Sequence, residues 1–156
     1  MNFSHLIQIN DPSDPSIEPL TREQLWQGLV ARAENPSYFL IGVDECQISN
    51  RNPASMDREL RFGPLVIRDR VTLEPRVQVR YEVVASDTTP GGSLVMRIEE
   101  PRPGALFVRF DYQLFLADAA ADDCYNEFRK SAYVESDIDT VRTIRQMAAS
   151  GLLWPM

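Results

Sequence analysis

Polar and apolar residues alternate along much of this chain, and in two places the alternation gives way to a helical stripe. Phe3, His5, Ile7 and Ile9 alternate with Ser4, Leu6, Gln8 and Asn10, which predicts an opening strand over 3–10. "DPSDPSIEP" (11–19) follows, with three prolines that break any regular element. A lone strand cannot stand as a domain, so this stretch is a loop and not a linker. In "LTREQLWQGLVARAENP" the period lengthens. Leu25, Trp26, Leu29, Val30 and Ala33 share one helical face, Thr21 and Gln24 make a capping-box start, and Pro36 marks the stop. "PSYFLIG" (36–42) predicts a short second helix or a turn. Trp26, Tyr38 and Phe39 are expected in the core there, with Tyr38 and Phe39 alternatively at a cavity entrance.

From Val43 to Leu116 the period is two. Val77, Val79, Tyr81 and Val83 alternate with Gln78, Arg80 and Glu82; Leu94, Met96 and Ile98 alternate with Arg97 and Glu99. Leu106, Val108, Phe110, Tyr112, Leu114 and Leu116 alternate with Arg109, Asp111 and Gln113. Such strands have one buried and one wet face, as in an antiparallel sheet. Less regular strands are expected at about 43–49, 56–62 and 65–73. "TTPGG" (88–92) and "PRPG" (101–104) set Pro before Gly, as a type II turn requires. The later part of "DAAADDCYNEFRK" (118–130) starts a final helix. Val134, Ile138, Val141, Ile144 and Ala148 form its stripe, Met147 lies at the edge, and Gly151 is the C-terminal cap.

The order is therefore β–α–(α)–β×6–α, without internal repeats or low-complexity tracts. Strands with one apolar face need a cover, and the helices supply it. A curved antiparallel sheet wrapped around a long C-terminal helix satisfies both; this is an α+β helix-grip fold, with 1–156 as a single domain. At 156 residues the chain can bury a sizeable core unaided.

Composition narrows the functions. The net charge of −7 argues against a nucleic-acid backbone or an anionic membrane as the main partner. No stretch approaches the roughly 18 consecutive apolar residues of a membrane span, and the N-terminus lacks the pattern of a signal peptide. Cys46 and Cys124 belong to no metal-binding or redox cluster, which fits free thiols in a reducing, cytoplasmic setting. The lone lysine, Lys130, lies in a charged segment and nearly excludes Schiff-base chemistry. No nucleotide, zinc or serine-nucleophile motif is present, so no cofactor and no metal are expected. The single histidine, His5, shares the inward phase of its strand and is expected to be a satisfied core or edge residue.

The order of elements resembles the START and birch-pollen-allergen-like (SRPBCC) superfamily, which includes polyketide cyclases and aromatases. More narrowly, "LTREQLWQGL" and "DIDTVRTIRQMA" are similar to the AtaL-like family of uncharacterised proteins, and the resemblance covers essentially the whole chain. It implies a cavity between sheet and terminal helix that holds an apolar or aromatic small molecule. The alternatives are a cofactor-independent cyclase or aromatase-like enzyme working by proton transfer, and a protein-interaction module with a filled cavity.

Polar residues on inward phases are the candidates for chemistry. Asp69 shares its phase with Leu65, Ile67, Val71 and Leu73; an inward carboxylate demands a partner. A β-bulge near 68–70 or a strand end, turning Asp69 to water, is the expectation. Arg145 falls inside the helical stripe, where it either reaches into the cavity or snorkels to solvent. Tyr81 and Tyr112 are inward, as core packing or as hydroxyls that orient a ligand. Leu94, Met96, Phe110, Tyr112, Val141 and Ile144 are the expected walls. Val95, Phe107 and Phe115 occupy outward phases and suggest a patch, covered by a loop or the "LLWPM" tail or used in a homodimer.

Overall fold

The computed structural model describes residues 1–114 and 123–154. Its elements run β1 (Asn2–Gln8), α1 (Arg22–Glu34), a 3₁₀ turn (Pro36–Tyr38), β2 (Glu45–Asn52), β3 (Ser55–Phe62), β4 (Leu65–Glu74), β5 (Gln78–Val83), β6 (Gly92–Arg102), β7 (Ala105–Leu114) and α2 (Asp123–Ala149). The strands form one antiparallel sheet in the order β1-β7-β6-β5-β4-β3-β2. Six strands therefore follow one another as a meander, and β1 closes onto the last of them. This is the helix-grip architecture.

Local chemistry accounts for the helix ends. Thr21 Oγ1 accepts from the Gln24 backbone N–H at 3.0 Å, and Gln24 Oε1 accepts from the Thr21 N–H at 2.9 Å, a complete capping box. At the far end of α2 the Leu152 N–H reaches Met147 O and the Gly151 N–H reaches Ala148 O. With Gly151 at φ +75° this is a Schellman cap. The two helices approach at Gly28, where an added Cβ would lie 2.5 Å from the Ile144 side chain. Only glycine lets Ile144, fully buried, seat against α1.

The two predicted Pro-Gly turns differ. Gly104 has φ +83°, as a type II turn requires. Neither Gly91 nor Gly92 has a positive φ. Gly92 is needed for close approach instead: a Cβ there would sit 2.6 Å from Gln113 O. The turn before it is organised by Ser86 Oγ, which accepts from the Thr88 and Thr89 N–H groups.

The core lies between sheet and helices. Leu25, Leu29, Met56, Val71, Val79, Met96, Val108, Phe110 and Ile144 are essentially inaccessible. Burying a side chain of this kind contributes about 1.5–3 kcal/mol. The buried face of α2 is rotated from the apolar stripe expected for it: Asp137 and Thr140 are both 0% exposed, while Ile138 is 39% exposed. Tyr38, expected in the core, is exposed, whereas Trp26 and Phe39 are buried. On the outer face Val95 is buried and Phe107 half-buried; Phe115 and Leu116 fall outside the described residues. The described tail residues, 152–154, do not cover that face. The Trp154 N–H donates to Gln27 Oε1 at 2.9 Å, docking the tail on α1. No helix among the described residues is long and apolar enough to cross a membrane.

Candidate functional site

Strand register builds a cavity from two adjacent inward rows. One row crosses Met56, Val71, Tyr81, Leu94 and Tyr112; the next crosses Arg58, Asp69, Val83, Gly92 and Leu114. Leu60, Phe62 and Ile67 extend the wall, while Arg32 of α1, Leu40, and Arg129 and Tyr133 of α2 close it. The space is about 340 Å³, is open to solvent on one side, and its lining is mostly apolar. That volume lies within the range of small-molecule sites.

Asp69 is at the polar end of this wall. No bulge turns it outward, because the β3–β4 register runs without a break from Ser55↔Thr72 to Phe62↔Leu65. The carboxylate is inward and buried, and Arg58 explains how. Arg58 Nε and Nη2 donate to its two oxygens at 2.9 and 2.6 Å, and Nη1 donates to Ala33 O at 2.9 Å. One guanidinium thus neutralises a buried acid and ties the end of α1 to the sheet. Burial is the largest influence on the Arg58 pKa and pulls it down; the hydrogen bonds and charge of Asp69 outweigh it and leave the pKa raised. Arg32 and Arg58 hold their guanidinium carbons 5.2 and 5.0 Å from the Tyr81 ring centroid, within cation–π range. The buried Tyr81 hydroxyl has no hydrogen-bond partner among the described residues.

A second polar cluster lies behind Tyr112. Its hydroxyl donates to both oxygens of Asp137, at 2.8 and 2.7 Å, and His5 Nε2 lies 2.7 Å from Asp137 Oδ2. Phe3, His5 and Phe110 stack in succession, and Tyr112 stacks on Tyr133 with centroids 4.5 Å apart. Burial raises the Asp137 pKa and prevails over the Tyr112 and His5 hydrogen bonds and the Arg32 charge, which favour ionisation. Burial, the charge of Asp137 and the hydrogen bonds to it hold the Tyr112 pKa well above its ordinary value. His5 therefore has a partner that no local sequence pattern shows, 132 positions away.

Comparison with known proteins agrees with this architecture. The profile of the family described as AtaL, acetylaranotin biosynthesis cluster protein L, matches residues 7–151. The chain belongs to this family. No curated protein matches the chain. Among solved structures it is similar to the di-domain ARO/CYC StfQ from the steffimycin biosynthetic pathway, at 10% identity and TM-score 0.71, covering 97% of this chain and 52% of that one. The chain thus spans about half the length of StfQ. It is also similar to Ara h 8.0201, at 10% identity and TM-score 0.67, covering 96% and 98% of the two chains. The Zhui aromatase/cyclase from Streptomyces sp. R1128 gives 11% identity and TM-score 0.62, covering 96% and 93%. At such identities these likenesses show a shared fold and nothing finer.

In this AtaL-family chain the candidate residues separate into three groups. Asp69, Tyr81, Leu94 and Tyr112 line the cavity together. Met96, Phe110, Val141 and Ile144 pack in the core beside it and are not among its walls. Arg145 stands elsewhere and does not reach into this cavity. Its guanidinium donates to Glu18 O at 3.1 Å and to Ile9 O, pinning the proline-rich loop to α2. Its pKa is lowered by burial.

Arg32 and Arg58 are cavity residues the expectation missed, although a signal was present. Arg58 shares the phase of Met56 and Leu60, and Arg32 follows Leu29 by three on the apolar face of α1. Among the described residues no cluster of His, Cys, Asp and Glu is suited to a metal.

Proposed function

We propose that this protein binds a small apolar or aromatic metabolite in the cavity between the sheet and α2, as a single-domain cytoplasmic protein. The observation that carries the reading is the combination of an apolar wall with polar groups set at its end. Leu94, Val83, Leu60 and Ile67 supply surface, while Tyr81, Arg58 and Asp69 supply orientation. The similarity to Ara h 8.0201 and to aromatase/cyclases supports the fold in which such a space forms.

A cofactor-independent cyclase is the second reading, favoured by the inward Asp69 and by Tyr112 at the wall. Magnitudes weigh against it. Asp69 gives both oxygens to Arg58, and the Tyr112 proton is held by burial and Asp137. A general acid or base works best with its pKa near the working pH. Tyr112 is not poised in that way, and both Asp69 oxygens are occupied by Arg58, so binding is the better-supported role.

The test is titration with the neutral fluorophore N-phenyl-1-naphthylamine. The reading expects saturable emission at one site per chain, abolished by Leu94→Trp, which fills the middle of the wall. An emission rise that does not saturate, or one that Leu94→Trp leaves intact, overturns it.

A further inference from the structure

The electrostatics of the cavity narrow the class of ligand. Arg32 is only 6% exposed, yet its one hydrogen bond among the described residues runs from Nε to Thr140 Oγ1 at 3.2 Å. No carboxylate among the described residues forms an ion pair with it. Arg58, beside it, is engaged on three nitrogens by Asp69 and Ala33. A buried guanidinium without a counter-charge is costly to keep.

The surroundings offset that charge only in part. Arg32 lies in the last turn of α1, where the helix dipole favours a cation, a modest effect. Asp137 acts on Arg32 through space but is held by Tyr112 and His5. Among the described residues Arg58 and Asp69 of the cavity wall pair with each other, which leaves Arg32 as a guanidinium with no carboxylate bound to it. This local positive group sits inside a chain of net charge −7. The overall field repels anions, so any attraction for them is local. Tyr81, whose buried hydroxyl is a donor without an acceptor among the described residues, has its ring against the same guanidinium.

We infer that the ligand carries an acidic oxygen on its apolar body, a carboxylate or an ionised phenol, and that this group pairs with Arg32. The inference rests on the cavity reading above and adds what selects among apolar ligands. Arg32 supplies the charge and directional N–H donors. Arg58 and Asp69 neutralise each other and shape the wall.

The experiment compares 2-naphthoate with its neutral isostere 2-naphthamide by calorimetric titration, in wild type, Arg32→Met and Leu94→Trp. A charge-assisted hydrogen bond at a buried site corresponds to roughly 10- to 100-fold in affinity. Wild type is expected to bind the acid more tightly by that factor, and Arg32→Met to bring the two probes together. Arg32→Met should also leave the melting temperature of the empty protein unchanged or raised, because it removes a buried charge. A purely structural arginine would lower it.

Equal affinities in wild type, both lost in Leu94→Trp, overturn the inference and leave the cavity reading standing. A preference for the acid that survives Arg32→Met assigns it to another group and also overturns the inference. Binding of neither probe to wild type, or binding that Leu94→Trp leaves intact, removes both readings. Should Arg32→Met fail to fold, Arg32→Gln replaces it, and the wild-type comparison alone still decides whether the acid is preferred.

Discussion

Asp69→Asn isolates the buried ion pair at the cavity wall. The Arg58 and Asp69 side chains are each 4% exposed, so solvent cannot replace a lost partner. The substitution keeps the shape and one acceptor but leaves the Arg58 charge buried and uncompensated. Breaking such a pair costs about 3–5 kcal/mol, and the retained acceptor places this case near the lower end. For a chain of this length about 3 kcal/mol lowers the melting temperature by roughly 6–12 °C. Urea unfolding followed by tryptophan emission measures it, since Trp26 is buried and responds to loss of the core. Replacing both partners, Arg58→Met with Asp69→Leu, should recover stability to within about 1 kcal/mol of wild type. A loss below about 1 kcal/mol for Asp69→Asn, with the double variant no better, would refute the claim that the pair is desolvated.

Three other substitutions test separate parts of the structure. Gly28→Ala places a methyl group within 2.5–2.9 Å of three Ile144 carbons. Overpacking of about 1–3 kcal/mol, less about 1 kcal/mol of gained helix propensity, gives a net loss of up to about 2 kcal/mol; on an Ile144→Ala background the same change should stabilise, as paired urea midpoints would show. Thr21→Ala removes half of the capping box and should cost about 1 kcal/mol by the same assay, with no change at the cavity. Asp137→Asn tests the raised Asp137 pKa. A carboxyl with a higher pKa folded than unfolded contributes stability that is complete below its ordinary 3.8 and is lost as pH rises through the native value. The melting temperature of wild type relative to Asp137→Asn should therefore fall as pH rises from below 3.8, and a gap that stays constant would contradict the assignment.

The fold was legible because the strongest sequence signals are also the determinants of the architecture. The alternation from Leu106 to Tyr112 is one continuous inward face of β7, and the Thr21–Gln24 pair forms the cap it predicts. β2 was harder to bound because it is an edge strand, and both of its faces carry polar residues. The site was legible only where hydrophobic residues mark it. Tyr81, Leu94 and Tyr112 lie side by side on β5, β6 and β7, as alternation places them. Arg58 and Asp69 were not read as a pair because each looks costly alone, and their pairing depends on β3–β4 register. On α2, Asp137 and Thr140 take buried positions that an apolar stripe assigns to their neighbours. His5 and Tyr112 supply the hydrogen bonds that Asp137 needs there, and the Thr140 hydroxyl donates to Ser136 O one turn back.

The closure of the sheet by β1 also sets a timetable for folding. The Met1 amino group donates to Leu114 O, 113 positions along the chain. Until β7 has been made, β1 has no neighbour in the sheet, and its Phe3, His5 and Ile7 side chains have no β7 residues to lie against. Contacts so distant in sequence are slow to form. The meander from β2 to β7 can pair as it emerges, while the opening strand waits as an unpaired edge, the kind of surface through which folding intermediates aggregate. The strand made first is thus the last of the sheet to find its place.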